Sequence, residues 1–162
     1  MKVSLKLGLL TLLFSLSVTG GAAEKKVIGA TADMSVEGTG LNYIARIDTG
    51  AAKTSLNAKD IKVEDSNGKT MRHDIGKIVS FTTVNGEGLS KRMSAKIIGV
   101  SKIINSQGEE RRYIVKLKIV YHGESRKVRV NLRDRSRMDY KLLIGRDWLK
   151  GQYMVDVDTA RS

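Results

Sequence analysis

The segment best suited to chemistry is Ala45-Arg46-Ile47-Asp48-Thr49-Gly50-Ala51-Ala52-Lys53-Thr54-Ser55-Leu56. An apolar stretch runs directly into Asp-Thr-Gly and leaves through Thr-Ser-Leu. A carboxylate at a strand end, on a turn that Gly allows to bend sharply, is held rigidly enough to serve as a general acid or base. The Thr hydroxyl can brace such a loop. Asp, Thr and Gly are also ordinary turn residues, so the tripeptide alone favours an Asx turn between two strands over a catalytic carboxylate. A second segment, Lys141-Leu142-Leu143-Ile144-Gly145-Arg146-Asp147-Trp148-Leu149, bears on the choice. It is an apolar run into Gly, followed by a polar pair that opens a short helix.

Other chemistries find little footing. The chain has no Cys, which excludes disulfides, thiol nucleophiles and Cys-based zinc sites. Its two His, His73 and His122, are 49 residues apart and neither lies in the two-His, one-Glu pattern of a common zinc peptidase. Both are read as surface or turn residues. Gly50-Ala51-Ala52-Lys53-Thr54 shares a Lys-Thr pair with a P-loop, but Ala52 stands before the Lys and no helix follows. No metal or cofactor is expected.

The elements that must position Asp48 are short strands. Residues 27–32 and 42–47 are β-compatible, with turn residues Val36-Glu37-Gly38-Thr39-Gly40 between them. Ser66-Asn67-Gly68-Lys69 carries the Asn-Gly signal of a type I′ hairpin, and Asn85-Gly86-Glu87-Gly88 is a second hairpin turn. Tyr113, Val115, Leu117, Ile119 and Tyr121 alternate with Lys116, Lys118 and Val120, the period of two of a half-buried strand. His122-Gly123-Glu124 then turns the chain back through Val128, Val130 and Leu132. Helical periodicity is nearly absent outside Arg146-Asp147-Trp148-Leu149, which Gly151 stops. The reading is one all-β domain of barrel or sandwich character with a short C-terminal helix.

Residues 1–23 stand apart from that domain. Lys2 and Lys6 precede a Leu-rich run over 7–18, and Gly20-Gly21-Ala22-Ala23 supplies small residues at the exit, the pattern of a cleavable signal peptide. The apolar run is shorter than the about 20 residues a stable membrane span needs. Cleavage after Ala23 leaves a domain over 24–162, expected in the periplasm or secreted. The whole chain of 162 residues carries a formal net charge of +12; the processed domain keeps 27 basic against 17 acidic residues, a net +10. With 5% aromatics, no basic helix and an export signal, nucleic acid is not the expected partner, and acidic peptides or envelope polyanions are. Arg111-Arg112 and the run Arg133-Asp134-Arg135-Ser136-Arg137 are the densest basic clusters, read at least as readily as exposed loop charge as a ligand site.

Taken together, the two segments resemble the retropepsin-like aspartic peptidases, and more closely the bacterial branch often labelled ATP-dependent zinc protease. Three stretches carry the likeness in order: Ala45-Arg46-Ile47-Asp48-Thr49-Gly50-Ala51, Arg135-Ser136-Arg137-Met138 and Leu143-Ile144-Gly145-Arg146-Asp147, with Val155-Asp156-Val157 near the end. The resemblance implies a closed β-barrel of the acid-protease half type. It implies Asp48 as the catalytic carboxylate, with Thr49, Gly50, Ala51, Thr54, Gly145 and Arg146 supporting its loop. Aspartic peptidases need two facing carboxylates sharing one proton. Asp158-Thr159-Ala160 lacks the Gly and a following strand, so the second carboxylate is expected from a second copy, making a homodimer.

Two departures matter. Ala52 and Lys53 stand where viral members carry acids, one of which pairs with the Arg matching Arg146, so Arg146 needs another partner and the substrate is expected to differ, towards acidic peptides. Ala51 offers no hydroxyl to the catalytic carboxylate, and activity is expected at mildly acidic to neutral pH. A flap over the cleft, counted back two strands from Leu143-Ile144-Gly145, falls at 101–110 with Asn105, Ser106, Gln107 and Gly108 at its tip; Asn85-Gly86-Glu87-Gly88 is the rival.

Overall fold

Alternation of buried and exposed side chains organises the strands. A computed structural model describes residues 24–105 and 108–161; the expected signal peptide and the flap residues Ser106 and Gln107 lie outside the described residues. The strands are β1 (Lys26–Ile28), β2 (Thr31–Val36), β3 (Asn42–Ile47), β4 (Thr54–Asn57), β5 (Lys59–Val63), β6 (Ile78–Val84), β7 (Ser90–Asn105), β8 (Gly108–Tyr121), β9 (Glu124–Arg133), β10 (Leu142–Ile144) and β11 (Tyr153–Val155), with one short helix, α1 (Arg146–Leu149), and a 3₁₀ turn over Met71–Asp74. In β8, Val115, Leu117, Ile119 and Tyr121 face the core while Lys116 and Lys118 face solvent, as period two demands.

Nine strands form one sheet in the order β2-β3-β10-β4-β9-β8-β7-β6-β5. Its first strand also pairs with β8 through Ser35–Val120 and Val36–Ile119, so the strand circuit from β2 to β8 closes on itself. Closure covers the outer edge of β2 and encloses a core that includes Met34, Tyr43, Leu56, Ile119, Val130, Leu142 and Ile144. The strands β5, β6 and the first part of β7 extend the sheet beyond the circuit, so the domain is all-β with one short C-terminal helix, as expected.

Trp148 of α1 is fully buried, stacked on Tyr153 at 4.7 Å and edge-on to Tyr121 at 6.1 Å. Arg126 lies over its indole and donates to its carbonyl. A helix of one turn has little intrinsic stability; this aromatic packing holds it in place.

Two local expectations are corrected. Residues 27–32 are not one strand: β1 pairs in parallel with β11, and β2 joins the main sheet, the chain breaking at Gly29. A Cβ at Gly29 would come 2.7 Å from the Thr159 carbonyl oxygen, so the break is where the C-terminal segment packs closely. Asn67-Gly68 does not make a type I′ turn. Gly68 has φ +69° but the second left-handed residue is Asp65 at φ +52°, and residues 64–77 form a longer connection. The two-residue turn occurs instead at His122 (φ +47°) and Gly123 (φ +78°), joining Tyr121 to Glu124.

That longer connection is fastened by Asp74, which is buried. Its Oδ2 accepts from the Tyr113 hydroxyl at 2.6 Å and its Oδ1 from Lys77 Nζ at 3.1 Å. The tyrosine hydrogen bond, then Lys77, holds the Asp74 carboxyl below the usual carboxylate range, and Tyr113 is pushed up to about 12, mainly by burial. A depressed carboxylate stabilises the fold above its unfolded pKa and ceases to do so as pH falls through its folded value. Tyr113→Phe is therefore expected to move the acid-unfolding midpoint to higher pH, read by circular dichroism; an unchanged midpoint would assign Asp74 no role in acid resistance.

Candidate active site

The loop 48–53 connects the end of β3 to the start of β4, and β10 lies between those two strands, parallel to β3 and antiparallel to β4. The backbone N–H of Asp48 donates to the Ile144 carbonyl at 2.9 Å, so the last residue of β10 anchors the first residue of the loop. The half-buried Asp48 side chain turns back on its own loop: Oδ1 accepts from Gly50 N at 2.9 Å and Ala51 N at 3.1 Å. A Cβ at Gly50 would come within 3.1 Å of that oxygen, which accounts for the absence of a side chain there.

The helix behind holds the rest. Arg146 N donates to the Ala51 carbonyl at 2.9 Å, and Arg146 Nη1 donates to the carbonyls of Thr49 and Gly50, each at 2.8 Å. These carbonyls are the partner that Arg146 needs in the absence of an acid at 52 or 53. Thr54 closes the loop at its other end. Its hydroxyl and its backbone N–H both donate to Asp147 Oδ1 at 2.9 Å, and its oxygen accepts from Gly145 N at 3.2 Å. Asp48, Thr49, Gly50, Ala51, Thr54, Gly145 and Arg146 thus come together in one hydrogen-bonded unit. Asp147 belongs to it and was not singled out from sequence, because its partner lies 93 residues away.

Asp147 Oδ2 is buried without a partner in the structure. Arg135 is 6% exposed and Arg112 9% exposed, so these arginines are not the loop charge that the sequence suggested. Arg135 Nε donates to the Tyr140 carbonyl at 2.9 Å, and Arg112 Nη2 donates to Glu110 Oε2 at 2.5 Å; Arg133 Nε stands 3.6 Å from the other Glu110 oxygen. Burial, then the charges of Arg133 and Arg112, lowers Arg135 to about 10, with Asp48 acting in the opposite sense. Arg135 is therefore cationic at neutral pH and within electrostatic reach of Asp48. Arg112 Nε and the nearby β4 hydroxyl Ser55 Oγ are buried without partners. Ser55 stands beside Asn131 of β9, which accepts from Ser101 Oγ at 2.9 Å.

Other sequence candidates lie apart. Asn105 and Gly108 pair at the far end of the β7–β8 hairpin, with Ser106 and Gln107 outside the described residues. The rival turn is fixed to the body: Asn85 is buried and its Nδ2 donates to the Asn42 carbonyl at 3.0 Å. Lys53, His73 and His122 are exposed, and the two histidines sit on separate turns.

Gly145 is the tightest point of the unit. A Cβ there would lie 2.6 Å from the Lys53 carbonyl carbon and within 2.9 Å of two more backbone atoms. Gly145→Ala must push β10 and the loop apart, and a loss of about 1–3 kcal/mol is expected in denaturant unfolding. Unchanged stability would mean that the loop is not packed this closely in solution.

Known proteins share the sequence or the fold of most of this chain. A probable α-L-glutamate ligase of Parasynechococcus marenigrum is 29% identical over 137 residues, covering 82% of this chain and 28% of that one. One from Shewanella halifaxensis is 30% identical over 116 residues, covering 69% and 24%. The chain thus spans about a quarter of the length of these curated relatives. A crystal structure of a Legionella pneumophila protein of unknown function (DUF785) superposes with TM-score 0.70 at 25% identity, over 86% of this chain and 98% of that one. The family described as RimB-like, retropepsin-like aspartic endopeptidase RimB, matches residues 27–162, which include every part of the Asp48 loop and its supports. On that match over most of its length, the chain belongs to the RimB-like family of retropepsin-like aspartic endopeptidases.

Proposed function

We propose that the protein is an exported, homodimeric aspartic endopeptidase that hydrolyses acidic peptides. The observation that carries this reading is the Asp48 loop: one carboxylate per chain, at a strand end, held by the Gly50 N–H on a loop whose backbone is fastened by Ile144 and Arg146. Two such loops facing across a two-fold axis supply the pair of carboxylates, sharing one proton, that peptide hydrolysis requires. The ionised Asp48 takes a proton from water as the oxygen attacks the scissile carbonyl carbon. The protonated Asp48 of the other copy donates to the carbonyl oxygen, and collapse of the tetrahedral intermediate passes a proton to the leaving amine. Thr49 is exposed beside Asp48, available to brace the paired loops.

A dimer is supported by the edge next to this loop. Among the described residues the strands β1 and β11 pair only with each other, leaving open outer edges, and Val27 and Met154 on them are half exposed. A recess of about 440 Å³ lined by Thr49, Arg146, Leu149 and Tyr153 adjoins them. Both features suit addition of a second copy.

Acidic specificity is supported by Arg112, Arg133 and Arg135, whose three positive charges are met by Glu110 and, at longer range, Asp48. The ligase relatives, named for glutamate, are consistent with an acidic substrate. Export rests on the leader pattern of residues 1–23, and the β7–β8 hairpin is the flap we favour, since the Asn85 turn is tethered.

Purified protein offered a peptide library is expected to cut glutamate- or aspartate-rich sequences best, with a rate loss of at least about 10²–10⁴-fold in Asp48→Ala. Activity is expected to peak between mildly acidic and neutral pH. A profile peaking below about pH 3, or a strict monomer in light scattering, would overturn the mechanism. Salt-sensitive binding of an envelope polyanion with no cleavage would favour a catalytically silent binding module on the same fold.

A further inference from the structure

A basic recess lies on the same side of β8 as Arg112, farther along the strand. In the β8–β9 register, Lys116 stands directly opposite Arg129 and Lys118 directly opposite Lys127. Like charges placed opposite each other across two strands destabilise a sheet, and here two such pairs are adjacent. Lys116, Lys118 and Lys127, with Arg92 and Lys96 of β7, line a shallow cavity of about 560 Å³. Glu37 is the one acid at its rim and is engaged by Lys118 at 3.0 Å. Arg92 donates to the Asp60 carbonyl, the Thr82 hydroxyl and the Ser80 hydroxyl, all neutral, so its charge stays uncompensated. Among the described residues, Lys96, Lys116 and Lys127 form no ion pair. Nothing in the fold requires this concentration of charge, and an anionic ligand would relieve it.

Position along the strand narrows the ligand. Residues 112, 114, 116 and 118 share one side of β8, so Lys118 lies about 20 Å from Arg112 along an extended chain. The guanidinium of Arg129 reaches over Gly99, where a Cβ would come within 3.3 Å, and continues the positive charge towards Arg112 and Arg133. Resting on the acidic-peptide reading above, we infer that this recess is an accessory binding site for an acidic segment of the substrate polypeptide, about six residues away from the segment held at the Arg112 cluster.

The test uses the Asp48→Ala protein, which holds peptides without cutting them, and fluorescence anisotropy with labelled oligoglutamates of four and twelve residues. The twelve-residue peptide is expected to bind about tenfold more tightly than the four-residue one. Adding Lys116→Gln and Lys127→Gln should remove that advantage and flatten its salt dependence, leaving the short peptide unaffected. Melting temperature without ligand should stay the same or rise, because repulsion is removed. Equal binding of both lengths, no effect of the two substitutions, or equal weakening of both peptides would overturn the proposal. So would polygalacturonate binding through these lysines while oligoglutamate does not. If the long peptide binds through Lys116 and Lys127 but the unsubstituted protein never cuts it, the recess stands and the endopeptidase reading falls.

Discussion

The close approach of Gly145 to the backbone of Lys53 is the contact on which the candidate site depends. It lets β10 pass between β3 and β4, so that Ile144 can receive the Asp48 N–H while Gly145 donates to Thr54. From there α1 begins at once, and its first residue places a backbone N–H and a guanidinium under the loop carbonyls. A loop of small residues, with Thr49 and Gly50 exposed, would otherwise be mobile. Here its polar backbone atoms are satisfied by a neighbouring strand and helix, which is the preorganisation that an acid–base carboxylate needs.

The helix that supplies this support is too short to stand alone. Trp148 connects it to Tyr121 at the end of β8 and Tyr153 of β11, and Arg126 of β9 covers the indole. Placement of Arg146 and Asp147 is thus a consequence of aromatic packing on the opposite face of the same turn. Stability of the core and geometry of the loop are linked through four consecutive residues.

Charge is distributed with the same economy. Glu110 bridges Arg112 and Arg133, and its own carboxyl is held down chiefly by Arg112. Two cationic strands can therefore lie side by side, with the buried Arg112 Nε left over. Of the exposed lysines beyond them, Lys118 is paired with Glu37, while Lys96, Lys116 and Lys127 form no ion pair among the described residues.

Much of this was legible in the sequence, for physical reasons that differ by element. The period-two pattern of β8, the turn residues and the Gly after a short apolar run report local burial and backbone conformation, and they marked the strand bounds of β3 and the span of α1. Asp48 stood out because an apolar strand ending in Asp-Thr-Gly restricts what the carboxylate can do. The Asn67-Gly68 turn was misjudged because turn propensity is weak against a loop that must bring Asp74 beneath Tyr113. The partner of Asp147 and the burial of Arg112 and Arg135 were not legible: hydrogen bonds across 93 residues, and burial within runs that read as surface charge, leave no local signal. The sequence by itself determined the β class, the one candidate carboxylate and the excess of positive charge. Only tertiary structure decided which polar groups meet, because strand register and the insertion of β10, rather than spacing along the chain, set those distances.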